Sequence, residues 1–106
     1  MAQEFNDSNF SKLVLDNEKV VLVDFWAEWC SPCKSLSPII EDLSKDFFDT
    51  ASIGKINVDS NPETTIAYQI RNLPTILVFK NGKVVEKIVG LKSKSDFSTT
   101  LLKYTN

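Results

Sequence analysis

Val20-Val21-Leu22-Val23-Asp24-Phe25-Trp26-Ala27-Glu28-Trp29-Cys30-Ser31-Pro32-Cys33-Lys34 is the stretch from which the fold can be read. Apart from Asp24, positions 20–27 are apolar without interruption, the mark of a strand covered on both faces and so central in its sheet. From Ser31 the pattern changes to helical spacing, with Leu36, Ile39, Ile40, Leu43 and Phe47 on one side of a helix expected over 31–48. Cys30 and Cys33, the only cysteines in the chain, stand at this strand-to-helix junction. The free N–H groups and the positive dipole end of the helix favour a thiolate on Cys30. Cys33 follows one turn later on the same face, roughly 5–5.5 Å away between Cα atoms. A disulfide spans roughly 4.4–6.8 Å without moving the backbone. The pair can therefore open and close in place, as a catalyst of thiol–disulfide exchange requires. A structural disulfide is the competing reading, but closing so short a loop stabilises little.

Length and composition bound the rest. A chain of 106 residues is expected to form one domain, 1–106, with a single core. The net charge of −2 and the absence of a Lys/Arg stripe argue against a nucleic-acid partner. No apolar run approaches a membrane span, and the first residues have neither the basic start nor the apolar centre of a signal peptide. The expected location is the cytoplasm, although a mature organellar protein stripped of its transit peptide has the same features. Two thiols and no histidine fall short of the four ligands of a structural zinc site, so no metal is expected. Two cysteines without a disulfide framework fit a reducing compartment.

Along the chain, apolar strand-like runs alternate with helical patterns, which predicts a layered α/β domain. Asp7-Ser8-Asn9 is a capping sequence for a helix over 9–15, with Phe10, Leu13 and Val14 as its apolar stripe. A second strand is expected over 51–58, interrupted by Gly54. A short helix follows from Asn61-Pro62-Glu63 to Tyr68, with proline in its first turn. Strands over 75–79 and 84–89 flank an Asn81-Gly82 hairpin turn. A last helix over 93–102 turns Phe97, Leu101 and Leu102 inward. The expected order is β-α-β-α-β-α-β-β-α, with no residues assigned to the opening strand. This gives a mixed sheet with helices on both faces.

Three residues near the cysteines carry further information. Pro32 lies in the first helical turn, where its missing N–H costs nothing. Pro38, deep in the helix pattern, removes the bond to the Lys34 carbonyl and is expected to kink the helix. Asp24 has only apolar neighbours in a strand buried on both faces, where an ionised carboxylate is costly. Burial is expected to raise its pKa and make it a proton acceptor and donor near neutrality.

Val23-Asp24-Phe25-Trp26-Ala27-Glu28-Trp29-Cys30, Pro32-Cys33-Lys34, Pro38, Leu73-Pro74-Thr75, Phe79-Lys80-Asn81-Gly82 and Val89-Gly90 together resemble the thioredoxin family, in order and spacing across essentially the whole chain. One departure is Ser31, where the family usually has glycine. The resemblance implies a thioredoxin fold and a reversible Cys30–Cys33 disulfide as the redox centre, with no bound cofactor. It makes Cys30 the exposed nucleophile and Cys33 the resolving thiol. It gives Asp24 the role of exchanging a proton with Cys33, and makes Lys55 on the neighbouring strand the partner of Asp24. It also implies a cis Leu73–Pro74 bond facing the cysteines, where the base rate of about 5–6% would read trans. Trp29, Ser31, Pro32, Leu73, Pro74, Val89, Gly90 and Leu91 then form the substrate-binding surface, and backbone groups at Leu73 pair with an extended substrate. Trp26 is expected to pack beneath the site.

The function so implied is a general protein-disulfide reductase serving cell redox homeostasis. It would act as a monomer on disulfide-containing proteins and be returned to the dithiol by a flavin- and NADPH-dependent thioredoxin reductase. Two alternatives remain open at this point. One is an oxidase or isomerase, against which the absence of histidine between the cysteines weighs. The other is a non-catalytic module using the groove to hold a partner, against which both cysteines, Asp24 and Pro74 weigh.

Overall fold

β2 (Val20–Trp26) runs through the middle of a five-stranded sheet ordered β1-β3-β2-β4-β5. The computed structural model describes residues 1–105. β1 (Gln3–Phe5) and β2 both pair parallel with β3 (Ala51–Asn57). β4 (Thr75–Lys80) pairs antiparallel with β2, and β5 (Lys83–Val89) antiparallel with β4. Among the described residues three α-helices complete the fold: α1 (Ser31–Asp46), α2 (Pro62–Ala67) and α3 (Lys94–Thr105). The anticipated order is found except that a π-helical turn stands in place of the first helix, and β2 is central as expected.

The alternation of β2 divides its side chains between two cores. Val20 and Leu22 join Leu36, Ile40, Leu43, Phe97 and Leu101 beneath α1 and α3. Val21, Val23 and Phe25 point the other way, toward Phe5, Phe10, Val14 and Phe79, with Tyr68 packed alongside. Asp24 shares the alternation of Val20 and Leu22, so its carboxyl lies on the α1 side of the sheet.

Several local expectations are corrected. Residues 9–15 do not form an α-helix: Ser11–Leu15 is a π-helical turn, closed by the Asp16 N–H donating to the Ser11 carbonyl at 2.9 Å. The cap before it is a reciprocal pair, the Asn6 and Asn9 side chains each accepting from the other's backbone N–H at 2.8 Å. Asp7 serves α2 instead. Its carboxylate accepts from the backbone N–H groups of Glu63 and Thr64 and from the Thr64 hydroxyl. Gly54 does not interrupt β3. A Cβ there would come within 2.5 Å of the Phe5 ring and 2.7 Å of the Gln3 carbonyl, so glycine is what lets β1 lie against β3. The strand ends at Asn57, and Val58–Ser60 is a 3-10 turn. α1 runs through Pro38, which sits on its exposed side, and ends at Asp46. In α3, Phe97 and Leu101 are buried but Leu102 is 50% exposed, one position off the buried stripe.

Asn81 and Gly82 both have positive φ, 53° and 78°, as a two-residue hairpin with the twist of its strands requires. Gln69 is the other non-glycine residue with positive φ, 53°, among the described residues. It ends α2 with its N–H donating to the Ile66 carbonyl, while the Ile70 N–H reaches back to Thr65.

Candidate active site

The parallel β2–α1 connection brings Cys30 and Cys33 to the carboxyl end of the central strand, where α1 begins. Cys30 is the N-cap of α1, with extended backbone (φ −96°, ψ 104°), and Pro32 occupies the first turn. The two cysteines form a disulfide with Cα atoms 5.3 Å apart, within the range expected from helix geometry. The Cys33 backbone N–H donates to the Cys30 sulfur at 3.2 Å, so the sulfur fills the place that a capping oxygen takes in other helices.

Cys30 is less exposed than the resemblance implies, at 5% against 2% for Cys33. In the closed pair both residues belong to a small apolar cluster with Ala27, against which Trp26, Val58 and Leu73 pack. Ser31 and Pro32 are exposed at the helix tip. Trp29 is 70% exposed and its indole N–H donates to Asp59 at 3.0 Å. Sequence reasoning missed Asp59, which lies 30 residues away and carries no local signal. Trp26 is half-buried and lines the space below the cysteines, as expected.

Leu73 reaches the cysteines from β4's approach. The Leu73–Pro74 bond is cis, Pro74 is buried, and Leu73 packs on the cysteine cluster. The Pro74 carbonyl accepts from the Gly90 N–H at 2.9 Å, and Thr75 is paired with Val89. Val89, Gly90 and Leu91 are thereby tied to the proline, with Val89 and Leu91 exposing apolar surface and Gly90 turning the chain at φ 95°. Every residue nominated for a substrate surface thus lies at the disulfide or on segments bonded to the proline beside it.

Behind the disulfide lies a cavity of about 250 Å³ lined by Asp24, Trp26, Glu28, Cys33, Lys34, Ser37 and Lys55. Asp24 is fully buried and, among the described residues, neither carboxyl oxygen has a hydrogen-bond partner. Burial pushes its pKa up to about 7, against the opposing pull of the Lys55 charge. Lys55 is the register partner of Asp24 across β2 and β3. Its ammonium, however, donates to the Ser37 hydroxyl at 3.1 Å and lies 5.4 Å from the centre of the Trp26 ring. No Asp24–Lys55 ion pair within 4 Å is found among the described residues. The site therefore holds a redox pair at a helix end and, in the same chamber as Cys33, a carboxyl group poised to gain or lose a proton near neutral pH.

The chain matches the family model described as Thioredoxin over residues 1–103. It is 48% identical over 95 residues to a protein named Thioredoxin from Rickettsia conorii, covering 90% of each chain. It is 50% identical over 92 residues to Thioredoxin 2 of Chlorobaculum tepidum, covering 87% of this chain and 84% of that one. A Thioredoxin from Buchnera aphidicola subsp. Baizongia pistaciae is 47% identical over 103 residues, covering 94% of each. The family is reduced by a thioredoxin reductase, acts on disulfide substrates, and uses its own redox-active disulfide without a bound cofactor. No described helix is long and apolar enough to cross a membrane. With its disulfide at the head of α1, in a mixed five-stranded sheet matched along nearly its whole length, this chain is a dithiol/disulfide oxidoreductase and belongs to the thioredoxin family.

Proposed function

We propose that this protein is a general reductant of protein disulfides, folded as one domain over 1–106, working as a monomer in the cytoplasm and recharged by a flavin- and NADPH-dependent thioredoxin reductase. The observation that carries the reading is the pairing of a sulfur N-cap on α1 with an unpartnered buried carboxyl in the cavity behind Cys33. The first feature stabilises a thiolate on Cys30, and the second gives the Cys33 proton a destination.

In the reduced protein the Cys30 thiolate attacks one sulfur of a substrate disulfide. A mixed disulfide forms and one substrate thiolate leaves. Cys33 gives its proton to the Asp24 carboxylate and attacks the Cys30 sulfur, closing the Cys30–Cys33 bond and releasing the second substrate thiolate. The substrate gains two electrons and the protein loses two, which the reductase restores. Lys55 tunes the proton affinity of Asp24 across the β2–β3 register. Trp29, Ser31 and Pro32 on one side, and Leu73, Pro74, Val89, Gly90 and Leu91 on the other, receive the substrate. An extended segment is held there by backbone groups at Leu73 in the manner of strand addition.

The absence of histidine supports reduction over oxidation, since no imidazolium stands between the cysteines to stabilise the thiolate. Two measurements test the reading. Reduction of insulin by dithiothreitol should accelerate in the presence of the protein, and a protein that leaves the rate unchanged is an adaptor. Titration of the pair against glutathione should give a potential near the family's characteristic value of about −270 mV. A potential near −120 mV, that of a strong oxidant, would sink the reductant role.

A further inference from the structure

Lys55 has a choice of neighbours. On one side it borders the cavity that holds Asp24, Cys33, Glu28 and Lys34. On the other it borders a groove of about 630 Å³ whose walls include Glu4 of β1 and Glu41 of α1. Its strand register sets it opposite Asp24, and an ammonium beside an unpartnered buried carboxylate is attracted to it. Yet the ammonium is held by the Ser37 hydroxyl at 3.1 Å and by the face of Trp26. Ser37 is half-buried on α1, one turn beyond Cys33, and lines the same cavity. Among the described residues that hydroxyl makes no hydrogen bond to the backbone of α1. What it does is give the lysine a neutral acceptor on the α1 wall.

We propose that Ser37 is a positioning residue of the exchange reaction: by holding the Lys55 ammonium on the α1 wall it keeps that charge from pairing with Asp24, and so leaves the carboxyl able to accept the Cys33 proton. If Lys55 paired directly with Asp24, the carboxylate would be stabilised and become a weaker base. The raised proton affinity of Asp24 agrees with a lysine that is near but not paired. The titratable groups that share the cavity with Asp24 are Lys55 from β3, Cys33 and Lys34 from α1, and Glu28 from the loop before it. In the disulfide form Cys33 does not titrate, and the effect of Lys55 can be read without it.

The inference deepens the role given to Asp24 above, and its test is separate from turnover. In the oxidised protein, the carboxyl carbon of Asp24 is followed by NMR as pH is raised. The midpoint should lie near pH 7 in the parent protein. Ser37→Ala should lower it by about one pH unit as the freed ammonium moves to the carboxylate, and Ser37→Thr, which keeps the hydroxyl, should restore it. In a Lys55→Met background, Ser37→Ala should leave the midpoint where Lys55→Met alone puts it. A midpoint unmoved by Ser37→Ala overturns the proposal. So does a rise, which would mean that Ser37 holds the charge near Asp24 and that its loss lets Lys55 swing toward Glu41. A shift that persists without Lys55 overturns it as well. Failure of Asp24 in catalysis would appear elsewhere, as an unchanged pH–rate profile for Asp24→Asn.

Discussion

The Cys30 sulfur caps the helix that carries Cys33, accepting the Cys33 backbone N–H at 3.2 Å. The asymmetry between two chemically identical side chains is contained in that bond. Cys30 faces the free donors and positive end of α1, whereas Cys33 lies within its first turn and lines the cavity shared with Asp24.

The two cysteines should therefore separate in a trapping experiment. Cys33→Ser should accumulate mixed disulfides between Cys30 and substrate, because the resolving attack is gone. Cys30→Ser should accumulate almost none. Mass spectrometry of the adducts checks this, and adducts mainly on Cys33 would reverse the roles.

Asp24 makes two predictions, one for rate and one for stability. Asp24→Asn should slow reduction at neutral pH and remove the inflection near pH 7 from the rate profile. For stability, the folded protein binds the Asp24 proton more tightly than the unfolded chain, whose carboxyl keeps the ordinary value of 3.8. Stability is then greatest below that value and falls as pH rises toward 7, a loss on the order of 4 kcal/mol for this group. Oxidised Asp24→Asn should accordingly be more stable than its parent at pH 8, by up to a few kcal/mol, and about equal at pH 4. Urea unfolding at the two pH values checks the sign.

Ser31 is exposed at the first position of α1 and carries no charge. A hydrogen bond donated by its hydroxyl to the Cys30 thiolate of the reduced protein would contribute about 1 kcal/mol, and roughly 1.4 kcal/mol corresponds to about 30 mV for a two-electron couple. Ser31→Gly should move the potential by no more than about 30 mV, and downward. Titration against glutathione measures it.

Gln69 holds a left-handed conformation, φ 53°, at the end of α2, which costs a side-chain-bearing residue more than glycine. Gln69→Gly should raise stability by about 0.5–1 kcal/mol, after allowing for the greater freedom of glycine in the unfolded chain. Thermal unfolding of the oxidised proteins should record a higher midpoint, with insulin reduction unchanged.

What the sequence determined by itself was local or periodic. The central strand followed from a run apolar at every position but Asp24, α1 from helical spacing, the hairpin from Asn81-Gly82, and the redox pair from two cysteines one turn apart. Asp24 was legible for the same reason, since a lone acid in an apolar strand has nowhere to go but into the core. The cis Leu73–Pro74 bond and its place beside the cysteines came from resemblance, because an isolated X-Pro pair reads as trans. Tertiary structure decided the rest. Three residues of β1 are too few to display a period, and their pairing with β3 lays Phe5 over Gly54, where any side chain would collide. Asp7 reads as the cap of the turn it precedes, but its acceptors find the orphan donors of α2, 56 and 57 residues away. Asp59 meets Trp29 only through the turn after β3. Lys55 is likewise set opposite Asp24 by register, yet its ammonium rests on Ser37 of a different element. Each of these depends on which distant segment supplies a partner for a buried donor, acceptor or charge. That is settled when the segments pack and is not written in the neighbours of the residue.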